Sequence, residues 1–281
     1  MKPKQHKRKK SRSVNPSLGD WITKFCRVAD TAHGTRAKAA AARGPSYLDL
    51  FPRKIETFRI VAMGPSLVQW MGLQCGESLN PHDVTMGVNL VPVWVPGIVS
   101  HGIAMDDFED DEKRGHVRYV KLVRSVSHVP MFTSSLTPDL GRNFHAYPLA
   151  AVDRSLSEWV PEDVRQHLWV NTLVYALALA LHLHEKGRGV RRIETWGWGH
   201  REAEFTWRPK NWRDYHGRRS VFEPGAEEYS YLLAVAHTRG IVTWAPQGTP
   251  LLGHDRYPML HGYCEGLMRL DASEVDASEV M

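Results

Sequence analysis

The sequence predicts an α/β protein built on a mainly parallel, Rossmann-like sheet with helices on both faces. Three observations predict it. Short apolar, β-favouring runs alternate along the chain with helix-like runs, and polar or Gly-rich turns follow the ends of successive strand-like runs. One helix-like run is apolar on nearly every face, as an element covered from both sides must be. With 281 residues, 42% of them hydrophobic and 24% charged, the chain can bury a sizeable core, which excludes a fibre and a wholly disordered polymer.

Residues 58–63 are apolar and β-favouring, and Gly64-Pro65-Ser66 then breaks the chain before a short amphipathic run over residues 67–73. That spacing predicts a strand, a tight loop and a helix. Residues 83–88 predict a second strand that stops at Asn89, and residues 98–105 a third that stops at Asp106 and Asp107. The acidic run 106–112 leads into a mixed-charge stretch to Ser125 that reads as one surface helix, and residues 129–133 predict another strand. Residues 134–165 show no clear period. The clearest helix covers residues 168–186, with Gly187 and Gly189 as stop signals. A strand over 192–196 follows, with Gly197-Trp198-Gly199 as its turn, then an aromatic and basic loop to about Arg219, a helix over 226–238 and a strand over 241–244. Trp94, Trp159 and Trp169 are expected in core or groove packing. His182 and His184, two apart on a helix, point to different sides and are expected to be structural rather than joint ligands of a metal.

Charge divides the chain. Residues 1–50 hold twelve Lys or Arg against three Asp, a balance of +9, whereas the whole chain carries only +5, so the rest is net acidic. Lys7, Arg8, Lys9 and Lys10 lie in a run too dense in like charge to fold on itself, which gains free energy by displacing counterions from a polyanion. DNA is the expected partner, with a solubilising leader as the competing reading. Three parts are therefore expected: a basic, largely flexible extension over residues 1–50, a folded domain over 51–265, and a flexible acidic tail over 266–281, in which residues 271–275 repeat as 276–280. Cys26, Cys75 and Cys264 are odd in number and far apart, so neither a disulfide framework nor a cysteine zinc site is expected. The uncharged stretch 167–183 is short for a bilayer and carries Asn171 and Thr172, and no apolar signal core follows the basic start. A cytoplasmic protein with no membrane partner is expected.

The ordered segments Ile60-Val61-Ala62-Met63-Gly64-Pro65-Ser66, Gly87-Val88-Asn89, Met105-Asp106-Asp107, Asn171-Thr172 and Trp196-Gly197-Trp198-Gly199 resemble the sialyltransferase-like and MptE-like group of Rossmann-like transferases, phage proteins included. The likeness covers roughly residues 55–263. It implies a GT-A-like, sialyltransferase-like fold in which Gly64, Pro65, Ser66, Asn89, Asn171, Thr172, Gly197, Trp198 and Gly199 hold a nucleotide-activated sugar donor. The residues agree with that implication. A Gly-Pro-Ser turn after a strand brings backbone N–H groups and a hydroxyl to a helix N-terminus, where phosphate is favoured. Asn89 offers a donor and an acceptor, and Asn171 and Thr172 are placed to cap their helix. Met63 and Gly199 depart from the Asn and the acidic residue common in sialyltransferase-like members, so a sugar or nucleotide other than a sialyl donor is expected.

Glycosyl transfer needs a base for the acceptor hydroxyl and a partner for the departing phosphate. Asp106 and Asp107 stand at a strand end, where they act as base or bridge donor phosphates through a divalent cation, Mg or Mn; the competing reading is a solvated acidic loop with Asp110 and Asp111. The relatives carry a catalytic histidine and tyrosines in a lid, which points to His216 and Tyr215. Arg208, Lys210, Arg213, Arg218 and Arg219 share that loop with aromatic rings, a mixture suited to stacking bases and neutralising phosphates. The expectation is a glycosyltransferase acting on DNA with hydroxymethylated pyrimidines. A pyrophosphokinase or nucleotidyl transferase and an inactive nucleic-acid-binding protein are the alternatives.

Overall fold

The computed structural model describes residues 46–63, 66–73, 80–134, 136–166, 168–169, 171–197 and 223–245. Seven strands pair in it: β1 (Thr57–Val61), β2 (Val84–Val88), β3 (His101–Ala104), β4 (Met131–Thr133), β5 (Phe144–Ala146), β6 (Arg192–Trp196) and β7 (Val242–Trp244). All are parallel, in the order β5-β4-β3-β2-β1-β6-β7. The α/β, Rossmann-like class read from the sequence is the class observed. Strand order reverses at β1, whose neighbours are β2 and β6. That makes the carboxyl ends of β1 and β6 a topological switch point.

Both sheet faces are buried, which explains strands that read as apolar runs rather than as alternating patterns. On one face lie α1 (Ser66–Leu73), α2 (Val91–Trp94), α3 (Phe108–Lys113) and α4 (Val117–Arg124), packing Leu67, Trp70, Val91, Phe108, Val120 and Val123 against Val61, Ala104, Met131 and Trp196. The other face carries α5 (Leu149–Leu156), α7 (Thr172–Leu183) and α8 (Glu223–Thr238) over Ile60, Met86, Ile103 and Phe132. The short α6 (Glu162–Arg165) joins α5 to α7. Eleven of the twelve α7 residues are buried, because the helix is sandwiched between the sheet and its neighbours α5 and α8.

Several local expectations need adjustment. The stretch 106–125 forms two helices, since Gly115 takes φ +90° between α3 and α4. The third strand shrinks to four residues. The long helix starts at Thr172, where the Asn171 side chain accepts from the Val174 amide (3.0 Å), and gives way to a π turn over His184–Arg188. Trp159 and Trp169 pack against the core, but Trp94 is 45% exposed, because the four-residue α2 turns Val91 and Pro92 inward instead. Residues 134–165, without a period in sequence, supply β5, α5 and α6. A 3-10 turn over Tyr47–Leu50 is bonded to the body, so these residues, counted with the basic extension by composition, belong structurally to the domain.

Two histidines fasten that turn. His182, fully buried, bridges the Tyr47 hydroxyl and the Ser155 hydroxyl, each at 2.7 Å, while His184 Nδ1 donates to the Val190 carbonyl (2.9 Å). His101 Nε2 donates to the Leu50 carbonyl (2.9 Å), and its ring stacks on Phe51 with centroids 4.6 Å apart. At the sheet's centre, Arg59 on β1 bonds Asp83 (2.6 Å), just before β2, and Glu194 (3.0 Å) on β6. Arg192 and the Trp196 indole N–H also lie against the Glu194 carboxylate.

Removing the Arg59 charge leaves two nearly buried carboxylates facing each other. Arg59→Met is therefore expected to lower unfolding free energy by about 3–5 kcal/mol in urea titrations. Burial pulls His101 and His182 down to about 4. The unfolded chain takes up these protons from about pH 6.5 downward but the folded one does not, so their stabilisation, complete above that pH, is lost as pH falls toward 4. Asp106, pushed up to about 6 mainly by burial, acts in the opposite direction over the same range. With His145 also lowered and Asp111 also raised by burial, the histidines are expected to outweigh the carboxyls and stability to fall between pH 7 and pH 4.5, to be read from chemical unfolding at the two values; equal stability would contradict it.

Candidate functional site

The edge formed by the carboxyl ends of the strands collects the polar groups that the core does not use. At the switch point, the Ala62 amide donates to the Trp196 carbonyl (2.9 Å), continuing the pairing of β1 and β6 past their ends. Gly197 follows with φ +70°, and a Cβ there would lie 1.9 Å from the Ala62 carbonyl oxygen. Only glycine permits that approach. The Gly197 amide donates to Ser66 Oγ (2.7 Å), fastening the first residue of α1 to the exit of β6. Ser66 Oγ accepts in this bond, and as a hydroxyl it also carries a proton that it can donate.

Two strands away, Asn89 ends β2 in the left-handed region at φ +54°, with its amide donating to the Ile103 carbonyl (2.8 Å). Its Oδ1 is buried and accepts no hydrogen bond from a described residue. Thr133, at the end of β4, is fully buried with Oγ1 likewise unpartnered. Register explains why the two belong together: Val88 pairs with Ile103 and Ala104 with Thr133, so Asn89 and Thr133 flank the small side chain of Ala104. A buried acceptor without a donor costs about 1–3 kcal/mol, which a ligand carrying N–H or O–H groups would recover.

Asp106 lies two residues past Ala104. Its carboxylate accepts from the Tyr119 hydroxyl on α4, and its carbonyl accepts from Ser134 Oγ (3.2 Å). Burial raises its pKa to about 6, the Tyr119 bond opposes that rise, and the nearby Asp111 carboxyl adds to it. Asp107 has a different use: it caps α3, accepting from the amides of Glu109 (3.1 Å) and Asp110 (3.2 Å). Asp111 pairs with His116 (3.1 Å). Each carboxylate of the Asp106-Asp107 pair thus has one oxygen engaged, Oδ2 of Asp106 by Tyr119 and Oδ1 of Asp107 by the helix cap. Among the described residues no group of three or more His, Cys, Asp or Glu is placed to hold a metal ion.

Asn171 and Thr172 open α7 on the opposite face of the sheet. The Tyr147 hydroxyl donates to the Tyr175 carbonyl (2.8 Å) and the Tyr147 amide to Thr133 (2.9 Å), which ties the first turn of α7 to the same strand-end edge. Asn171 Oδ1 is spent on its cap and Thr172 is buried. The structure thus joins Ser66 directly to Gly197, brings Asn89, Asp106 and Thr133 to one stretch of the edge, and sets Asn171 and Thr172 behind it. Gly64, Pro65, Trp198, Gly199, Tyr215, His216, Arg208, Lys210, Arg213, Arg218, Arg219, the basic residues Lys7, Arg8, Lys9 and Lys10, the three cysteines and the acidic tail lie outside the described residues.

Sequence reasoning missed Tyr119 and Thr133. Thr133 had a signal, as a polar residue closing a strand-like run; Tyr119 sits in a mixed-charge helix, where nothing local marks it. No protein-family model matches the chain, and neither a curated protein nor a solved structure does. No helix among the described residues is long and apolar enough to cross a membrane.

Replacing Gly197 by alanine forces a Cβ into the Ala62 carbonyl at positive φ. G197A is expected to cost at least about 2 kcal/mol and to lower Tm; an unchanged melting curve would show that β1 and β6 do not meet as described.

Proposed function

We propose that the chain is a nucleotide-dependent transferase, and within that class a glycosyltransferase of GT-A-like, sialyltransferase-like type whose donor is a nucleotide sugar. The observation that carries the reading is the strand-end edge at the switch point, where Ser66 presents a hydroxyl bonded to the Gly197 amide and Asn89 Oδ1 is a buried acceptor with no donor among the described residues. Ligands of open parallel sheets settle in this crevice. The start of α1 favours the donor's phosphates through its amide N–H groups and dipole, with Ser66 as a hydroxyl donor. Asn89 Oδ1 accepts from a hydroxyl or amino group of the nucleoside or the sugar.

Asp106 supplies the base. A carboxyl near 6 is mostly ionised at neutral pH and more basic than an exposed aspartate. The acceptor hydroxyl gives its proton to Asp106 as its oxygen attacks the sugar's anomeric carbon; the bond from that carbon to phosphate breaks, and the nucleotide leaves with the electron pair. Tyr119 holds the carboxylate in place from behind. Asp107 keeps its capping role, and no step runs through a metal. The acceptor in this reading is DNA with hydroxymethylated pyrimidines, supported by the density of Lys and Arg in residues 1–50.

The test has two stages. Nucleotide sugars are first screened for a rise in Tm of the full chain; one is expected to raise it, with Ser66→Ala and Asn89→Ala losing the rise. The stabilising donor is then incubated with hydroxymethylated DNA, and nucleosides are examined for a sugar-sized mass increment. Asp106→Asn is expected to keep the thermal response while losing about 10²–10⁴ in transfer rate. No response to any donor, or undiminished transfer by D106N, overturns the reading.

A further inference from the structure

The opposite edge of the sheet, where the strands begin, has a different chemistry. Residues 46–56 approach β1 along it, residues 184–191 approach β6, and residues 237–241 approach β7. These segments are sewn together: the Ile55 amide donates to the Arg188 carbonyl (2.8 Å), the Arg192 amide to Glu56 (3.0 Å) and the Val242 amide to Arg191 (2.9 Å). The Arg188 guanidinium crosses between them to the Leu48 carbonyl (2.8 Å). Side chains from separate parts of the sequence therefore share one surface.

That surface is cationic. Its segments carry Arg53, Lys54, Lys186, Arg188, Arg191 and Arg239 against Asp49, Glu56 and Glu185. Arg53, Lys54, Lys186 and Arg191 are exposed, and none forms an ion pair with a described residue, whereas Arg59 and Arg192 beneath them are matched by Asp83 and Glu194. The chain from the basic residues 1–45 enters the domain at Ser46, on this same edge. Cations spread over several loops and continuous with a +9 segment suit a repeating row of phosphates better than any single small anion.

We infer that the strand-start edge, with Lys54, Lys186 and Arg191 as its projecting cations, is a docking surface for the phosphate backbone of duplex DNA, and that it anchors the polymer on the side away from the donor crevice. The two edges are separated by the length of the strands, about 17 Å for five residues at the usual rise. A duplex seated on the first is not presented to the second in the same chain. The acceptor is then a different stretch of the polymer or a different chain's substrate, and the anchor raises its local concentration. This inference stands on the charge and stitching of one edge and does not rest on what the other edge binds.

The experiment uses full chain and a fluorescein-labelled duplex, with anisotropy titrations from 50 to 200 mM salt. The triple variant K54E/K186E/R191E is compared with K113E/R118E/K121E, an equal charge reversal on the exposed side of α3 and α4. The first is expected to lose at least tenfold in affinity and to flatten the salt slope by about 2–3, since each phosphate contact contributes about 0.9. The second is expected to stay within threefold of the parent. Equal losses in both, or no loss in the first, overturns the proposal, as does binding to anionic phosphatidylserine vesicles in place of DNA. Melting curves confirm that both variants fold, and the neutral variant K54Q/K186Q/R191Q is expected to fall between parent and reversal; parent-like binding by it together with a misfolded reversal overturns the proposal. Retained donor-induced stabilisation in the edge variants separates failure here from failure of the transferase reading.

Discussion

The architecture turns on one buried cation. Arg59 sits in the strand at which the strand order reverses and takes a carboxylate from each side, Asp83 before β2 and Glu194 on β6. A charge in that position is tolerated only when matched and hydrogen-bonded. Matching it requires both neighbours to lie beside β1 in the observed register, so the electrostatic need and the strand order support each other. The Trp196 indole, donating to the Glu194 carboxylate, extends the network toward the strand ends and rests against Trp244 at 4.5 Å. From there the chain reaches Gly197 and its contact with Ser66. The crevice is shaped by the same strand that the ion network holds.

Buried polar groups fall into bonded and unbonded sets. In the core, His182 bonds two hydroxyls and Thr195 bonds Tyr229 (2.6 Å), whereas Thr85 Oγ1 on β2 and Ser230 Oγ on α8 have no partner among the described residues. At the strand ends, Asn89 Oδ1 and Thr133 Oγ1 are likewise buried with no partner among the described residues, and Asp106 carries a raised pKa. Unsatisfied polar atoms in such a row lower stability where they stand, and strain of this kind clusters where a ligand compensates it. The positive φ of Asn89 adds to that pattern. The opposite edge spends its polar groups on stitching loops together and leaves its cations to solvent.

Much of the element pattern was legible in the sequence. The helix that opens at Ser66, the Asn171 cap and the glycines that close α7 depend on contacts within a few residues, and each appears near its expected place. Errors arose where a local rule had two outcomes: a mixed-charge run of twenty residues reads as one helix until Gly115 adopts a left-handed turn, and a tryptophan reads as core until a four-residue helix faces it outward. The resemblance to sialyltransferase-like proteins pointed to the strand ends, but it did not contain Tyr119, whose tie to Asp106 spans thirteen residues and two elements.

By itself the sequence determined the α/β class, the buried character of the long helix and the division between a basic start and a net-acidic remainder, because composition, period and capping act over short distances. Tertiary structure alone decided that β6 crosses to the far side of β1, that Asn89 and Thr133 share a row with Ala104, and that Asp107 caps a helix while Asp106 accepts from Tyr119. These are non-local pairings: each joins residues whose separation in sequence carries no periodic signal, and each is selected only when burial of both sheet faces fixes the register.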